Sequence, residues 1–591
     1  MGPSAEERRA GRWWLAAALG LALLAYWQTQ HFSFSAEDHQ RIKDNPRIQY
    51  TRFLPSYFTE HSETHVNAVA PGNTYRPVSL LWRSVNHTLW GPLAAGWHWT
   101  SLAMHLLTVA LVFALTGAWM RDTQIAGVTA LLFALHPVNV EAVAWISGVD
   151  EALAAAPILA CAYFFLHWSE TRRAEQLVVS LACCFVALLA KESALVLPFL
   201  LLAMDLLRGS ANEGAEPVQR SRAQRVSASL RNVTPFFAVA VVYLAVRWLA
   251  LGGVMPASTA PAASLAINAP LTFLFHLRLL IWPTGLSHFY DVVQMREPTL
   301  ATASLAAIVL LGVGAALLLA GRRWPWFAKS ALWMALPLAA IVILPADAEV
   351  LQDRYAYLPS VGFCMLLAAV MRNLPGIQIA GKQSYPGALA LPFLLAALLG
   401  AATATQAEHW RNNEAVFSRG IRLNPEDARA TVGWADELLA QGRVEDAALQ
   451  YAKVQARHPE NARGHFGTGN LLYLQKRYSE AVPHLERAAT LDRSHSEARV
   501  KLAQIRFREQ NFPESERLLR EGLALRPSQP GYRFVLATIL EMQKRPREAL
   551  QAYREELRFD PWRAFTEERI ARLLKENPAL APASGNPPQP R

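Results

Sequence analysis

Carboxylates placed beside long apolar runs, with arginines and lysines close by, are the residues of this chain best suited to chemistry. Glu37 and Asp38 adjoin in FSFSAEDHQRIKDNPRI, a few residues past the first apolar run. His136 and Glu141 lie in LHPVNVEAVAW, Asp150 and Glu151 open the run that follows, and Lys191-Glu192 forms a tight turn between two more. Arg76 and His87 lie in YRPVSLLWRSVNH, and Arg354 lies in EVLQDRYAYLP. Paired carboxylates in a partly dry site can hold a divalent metal or take a proton from a hydroxyl. A neighbouring arginine can hold a phosphate through two parallel hydrogen bonds. Together they suit chemistry on a phosphate whose tail lies in a bilayer. Each residue also has a plainer reading: Glu37-Asp38 as ordinary loop charges, Lys191-Glu192 as a solvated turn, Glu141 as the partner of His136, Arg354 as an interfacial anchor. Ionisable side chains in or beside membrane spans are costly and mostly functional, which favours the chemical reading.

The elements that must position these residues are apolar helices. A spanning helix needs about 20 mostly apolar residues, because unpaired backbone groups are too costly in hydrocarbon. Eleven segments qualify as expected spans: 13–30, 98–118, 123–136, 152–168, 176–190, 193–207, 234–251, 300–320, 330–345, 357–371 and 386–406. The stretch 271–283 is short and carries Arg278 in its middle, so it reads as an interfacial or re-entrant helix. Arg8, Arg9 and Arg12 before the first run resemble the start of a signal peptide, but Gln28, Thr29 and Gln30 follow where a small-x-small cleavage site would stand, so the run reads as an uncleaved span. With the N-terminus inside, cytoplasmic loops hold Arg121, Arg172, Arg173, Arg208, Arg220, Arg222, Arg225, Arg231, Arg322, Arg323, Lys329, Arg372 and Lys382. The short outer loops hold only Lys191, Arg296 and Arg354. This follows the positive-inside rule. It places the acids and arginines above on the outer face, with 31–95 as the first outer loop.

After Glu408 the composition turns to Arg, Glu, Gln and Ala, and a period of 34 residues appears. Asn424-Pro425, His458-Pro459, Asp492-Arg493, Arg526-Pro527 and Asp560-Pro561 mark it. Ala435, Gly469, Ala503 and Ala537 share one small position, and Ala447, Ala481, Ser515 and Ala549 share another. Tyr451, Leu485, Leu519 and Tyr553 follow four residues after the second. Small residues permit close helix packing and the large ones plug the gap, which is the tetratricopeptide (TPR) pattern. The expected organisation is a membrane domain over 1–407, a TPR array over 408–565, and a helix end with a Pro-rich disordered tail over 566–591. Such arrays stack into a curved groove that suits a polypeptide partner.

A net charge of +10 raises nucleic acid as a partner, but much of the basic excess sits in short loops between apolar runs and no nucleic-acid motif is present. Cys161, Cys183, Cys184 and Cys364 all lie inside apolar runs without metal-ligand spacing and read as buried membrane residues. The fold class is therefore all-α: a polytopic transmembrane bundle followed by a TPR α-solenoid.

In their order along the chain, AED followed by NPRI, TYRPVSLLWRSVNHTLWG, HWTSLAMHLLTVALVF, ALLFALHPVNVEAVAWISG, LLAKESALVLPFLLLAMDLL, LRLLIWPTGLSHFYD and DRYAYLPSVGF resemble the GT-C membrane glycosyltransferases. The resemblance is to the group that carries a C-terminal TPR array, the protein O-mannosyltransferases and their bacterial relatives. It implies transfer of a sugar from a polyprenyl-phosphate carrier to an acceptor, most plausibly a polypeptide Ser or Thr presented by the TPR groove. By position, Glu37 and Asp38 match the family's acidic pair, with Asp38 as base or metal ligand. Arg354, with Arg76 or Lys191, matches a donor-phosphate contact, and His136, Glu141, Glu151 and Glu192 match the second-loop pocket. The pair reads Glu-Asp where the family has Asp-Asp, and Val149 stands where the family commonly has arginine. A bacterial inner membrane with the repeats in the periplasm is the expected setting. A membrane-anchored TPR scaffold without activity explains the repeats but not the clustered charges. A transporter would show inverted halves with matched broken helices, and none is evident.

Overall fold

The computed structural model describes residues 5–62, 74–208, 221–252, 262–290, 300–343, 351–374, 377–379, 382–384, 386–559 and 563–580. Arg220, Arg296, Asp560-Pro561 and the tail past Leu580 lie outside the described residues. The chain divides into two compact units, one reaching Asp427 and the other beginning at Ala428 and including Asp44–Tyr50.

In the first unit each of the eleven apolar segments is largely helical over its described residues, since hydrogen bonding within a segment is the only way to satisfy its backbone in lipid. Among the described residues, six helices are long and apolar enough to cross a membrane: Ala94–Met120, Ile146–Thr171, Ala223–Leu251, Ala301–Arg323, Asp353–Arg372 and Ala390–Trp410. A seventh span results if Thr123–Ala134 and Pro137–Ala144, which meet at 54°, are counted as one. This makes the chain a multi-pass membrane protein. The first helix, Ala5–Tyr26, carries Glu6, Arg8, Arg9 and Arg12 near its start, which leaves it a short apolar stretch. Residues 271–281 end a 20-residue helix, Ala262–Ile281, whose apolar part, Asn268–Ile281, is too short to count among the spans.

Proline explains the 54° bend. Pro137 has no N–H to donate and disfavours helical backbone at His136. The helix stops at Ala134, and the chain turns through Pro137–Asn139 into the short helix Val140–Ala144. Val138, Leu279, Leu280, Leu286, Met334, Leu338 and Ala356 form a buried cluster beside this turn. The helices Pro325–Ile343 and Tyr357–Arg372 touch backbone to backbone at Gly362, where a Cβ would lie 2.3 Å from the Met334 nitrogen. A three-residue antiparallel ribbon, Ile377–Ile379 with Lys382–Ser384, precedes the helix Pro386–Ala407.

Among the described residues of the second unit four helix pairs follow one another: Ala428–Ala440 with Val444–Arg457, Ala462–Leu474 with Tyr478–Leu491, Ser496–Arg508 with Phe512–Leu525, and Tyr532–Met542 with Pro546–Glu556. The helix Arg563–Glu576 comes after them. The periodic small and large residues are all interior; a Cβ on Gly469 would lie 2.8 Å from the Leu485 side chain it faces. Each pair is joined through one left-handed residue at the same repeat position, Gly442, Lys476, Gln510 and Lys544. Glycine takes that backbone freely and the other three are strained there.

Candidate functional site

The acidic loop starts where the first helix gives way to the turn Trp27–His31. Ala36 has φ +50°, so the chain doubles back on itself before Glu37. This lets Asp38 Oδ2 accept the Ser35 amide at 3.0 Å. Asp38 Oδ1 accepts the Ser147 amide at 2.9 Å and the Ser147 hydroxyl at 2.5 Å. Burial drives the Asp38 carboxyl up to about 6, against the hydrogen bonds from Ser147 and Ser35 and the nearby charge of Arg41. Glu37 is more open and pairs with Arg41 at 2.7 Å.

The second group comes from the bend. His136 Nδ1 accepts the Val138 amide at 3.3 Å and Nε2 donates to the Leu280 carbonyl at 3.1 Å. Both ring nitrogens serve backbone, so His136 fixes the turn and does not pair with Glu141. Glu141, fully buried, turns to Arg354 instead. Its Oε1 accepts from the Arg354 guanidinium at 2.6 Å and from His288 Nδ1 at 3.2 Å, and its Oε2 accepts the Arg354 amide at 3.0 Å. Gly148 packs against the backbone of the same residue, since a Cβ there would lie 2.3 Å from the Glu141 carbonyl oxygen.

A third set surrounds the start of the helix Asp150–Thr171. Arg83 spans both Asp150 oxygens at 2.9 and 3.1 Å, and Arg76 approaches the same carboxylate at 3.7 Å. Arg76 also grips Glu192 through two hydrogen bonds, 2.5 and 3.1 Å. Burial would raise the Glu192 carboxyl, but the charge and hydrogen bonds of Arg76, with Lys191, hold it at about 2. Lys191 pairs with Glu151.

Aromatic rings join the three groups. Arg354 lies over Trp145 at 5.0 Å, and Arg41 approaches the same ring at 5.9 Å. Tyr355 lies 5.3 Å from Arg354 and 4.6 Å from Lys191. The order Arg41, Trp145, Arg354, Tyr355, Lys191 alternates cation and ring, a favourable arrangement for buried guanidinium and ammonium groups. Asp38 and Arg354 thus meet the same few residues, Trp145–Ser147, from opposite ends of the membrane unit's sequence.

Sequence reasoning missed Arg41, Arg83, Trp145, Ser147, His288 and Tyr355. Trp145-Ile146-Ser147-Gly148 carried the clearest signal, a small polar pair in an otherwise apolar stretch. Among the described residues no group of three or more His, Cys, Asp or Glu side chains is arranged to hold a metal. Glu37 turns to Arg41 while Asp38 takes hydrogen bonds from Ser35 and Ser147, so the two neighbouring acids face different partners. What the arrangement offers is a buried carboxylate with a raised proton affinity, set beside cations that now face carboxylates and could face a phosphate.

The tetratricopeptide family models match residues 432–496 and 472–539. The chain is 24% identical over 595 residues to protein O-mannosyl-transferase TMTC3 of Mus musculus, covering 90% of this chain and 62% of that protein. It is 25% identical to protein O-mannosyl-transferase Tmtc1 of Drosophila melanogaster, covering 76% of this chain and 62% of that one. It therefore spans under two thirds of the length of these relatives. An oligosaccharyltransferase of Archaeoglobus fulgidus overlaps 74% of this chain and 59% of its own at 13% identity, with a TM-score of 0.39, too slight a likeness to argue from. Joined to the helical membrane unit and the repeats, the matches along most of the sequence make this chain a relative of the protein O-mannosyl-transferases.

Proposed function

We propose that the chain is a membrane glycosyltransferase that moves a sugar, mannose by analogy with its relatives, from a polyprenyl-phosphate donor to a Ser or Thr hydroxyl of a polypeptide. The observation that carries the reading is the convergence of Asp38 and Arg354 on Trp145–Ser147. Asp38 takes the acceptor proton as the hydroxyl oxygen attacks the anomeric carbon. The bond from that carbon to the phosphate oxygen breaks, and the polyprenyl phosphate leaves with the electron pair. Arg354, with Lys191 and Arg76, neutralises the charge that develops on the departing phosphate. Glu141, Glu151 and Glu192 hold these cations in place until the donor arrives. A base that titrates near 6 is largely ionised at neutral pH, as this role requires.

The loop charges support an outer-face site, with the N-terminus cytoplasmic, the repeats in the periplasm of a bacterial inner membrane, and the donor entering sideways from the lipid. The repeat groove offers the polypeptide a place to bind. The test is to incubate the purified chain with several polyprenyl-phosphate sugars and a Ser/Thr-rich peptide and to track loss of donor. Transfer by the wild type that disappears in Asp38→Ala supports the reading. An Asp38→Ala protein that still transfers removes it.

A further inference from the structure

The loop that carries Asp38 is held by a segment almost 380 residues away in sequence. Past the helix Pro386–Ala407 the chain makes one turn, Glu408–Trp410, and Asn412 then caps the helix Asn413–Leu423 by accepting the Ala415 amide at 2.9 Å. All of these residues belong to the membrane unit. The Arg411 carbonyl accepts the Ser33 amide at 3.0 Å and the Ser33 hydroxyl at 3.2 Å. Asn413 Oδ1 accepts the Ala36 amide at 2.7 Å, and Gln28 Nε2 donates to the Ala404 carbonyl at 2.6 Å.

Ala36 is the critical point. Its φ of +50° is a conformation that a side chain with a Cβ resists, so an outside contact must hold it. The reversal there brings the Asp38 carboxylate back toward the Ser35 amide and across to Ser147. On the other side of the site, buried Trp410 stacks on Trp145, 5.4 Å between centroids and 17° between planes. His288 closes the edge of both rings at 5.1 and 5.9 Å. Trp145 is the ring over which Arg354 lies.

We propose that Asn413 and Trp410, in the segment that leads into the repeats, are positioning residues of the membrane-domain site. Asn413 fixes the left-handed turn that aims Asp38, and Trp410 backs the ring that carries Arg354. The inference rests on the reading of Asp38 as base and Arg354 as phosphate ligand. It adds that the site is incomplete without a segment whose composition places it on the approach to the repeats.

The experiment uses full-length variants in detergent with a polyprenyl-phosphate mannose and a Ser/Thr peptide. Asn413→Leu, which removes the acceptor oxygen, is expected to lower kcat about 10- to 100-fold with donor KM little changed. Asn413→Asp keeps an oxygen for the Ala36 amide and is expected to retain most of the rate. Trp410→Leu is expected to raise donor KM, and Trp410→Phe to raise it less. Amide hydrogen exchange across residues 32–39 reads the anchor without catalysis: exchange at Ala36 is expected to quicken in Asn413→Leu only. Wild-type kcat and exchange in Asn413→Leu would overturn the proposal, as would equal losses in the Leu and Asp variants. If Asp38→Asn still transfers while Ala36 exchange quickens in Asn413→Leu, the assignment of the base fails and the anchor stands.

Discussion

Replacing Asp38 with asparagine changes one charge and almost no volume, so its effect can be worked from the contacts of the carboxylate. Burial lifts this carboxyl from 3.8 to about 6, which at pH 7 corresponds to roughly 3 kcal/mol against holding it charged in the folded chain. Asparagine removes that cost. The charge-assisted hydrogen bonds are already counted in that figure; asparagine keeps an oxygen for Ser147, but its amide nitrogen faces the Ser35 N–H as donor to donor and leaves that buried group unpaired, about 1–3 kcal/mol. The two effects nearly cancel. Asp38→Asn is therefore expected to melt within a few degrees of wild type while transfer falls by about 100-fold or more, the usual share of a general base. The linkage has a definite sign. A raised carboxyl contributes stability in full below 3.8 and loses it as pH rises through about 6, so wild type gains on Asp38→Asn as pH falls across that window. Activity moves the other way, rising with pH through about 6. The assay is donor consumption by both proteins from about pH 5 to 8, with thermal unfolding in the same buffers. Equal rates in the two proteins, or a wild-type rate that falls from about pH 5 to 7, would refute the reasoning.

Further outcomes rest on the same contacts. Arg354→Gln is expected to lower transfer roughly 10- to 100-fold and to destabilise the fold, because Glu141 is left buried without its guanidinium, at a typical cost of about 3–5 kcal/mol. Glu141→Gln in that background should restore the melting temperature but not the rate. Gly148→Ala should lower both, since the new methyl would lie 2.3 Å from the Glu141 carbonyl oxygen; an unchanged melting temperature would show that the turn adapts. Gln510→Gly and Lys544→Gly should each stabilise the repeats by about 1 kcal/mol by relieving a left-handed residue, read as a rise in the denaturant midpoint, whereas Gly442→Ala should lower it.

Helix was legible in the sequence wherever a long apolar run or a 34-residue period repeated one physical rule. The eleven runs are largely helical over their described residues, though only six or seven helices there are long and apolar enough to span, and Ala447, Ala481, Ser515 and Ala549 all turned inward. The pairing of charges was harder to see. His136 and Glu141 are five residues apart and looked like partners, but Pro137 turns the histidine to backbone and leaves the acid for a residue more than 200 positions away. Trp145 and Trp410 drew no reading from the sequence, because only tertiary structure reveals that they stack. The residues 271–283 looked too short to span and carry Arg278; the helix there begins earlier, at Ala262, but its apolar part, Asn268–Ile281, is still too short to count as a span. Local pattern fixes elements; long-range approach decides which charge meets which.

The full pairing of the cations bears on how a ligand reaches them. Arg354, Lys191 and Arg76 each already answer to a carboxylate, so little unbalanced field reaches out toward solvent. Capture of a free phosphate from solution should thus be slow and almost indifferent to ionic strength, unlike an open basic cleft. On the proposed reading, an anion delivered at close range, with apolar bulk to anchor it while the acids give way, gains entry. On that reading, exclusion of soluble phosphates is built into the resting state.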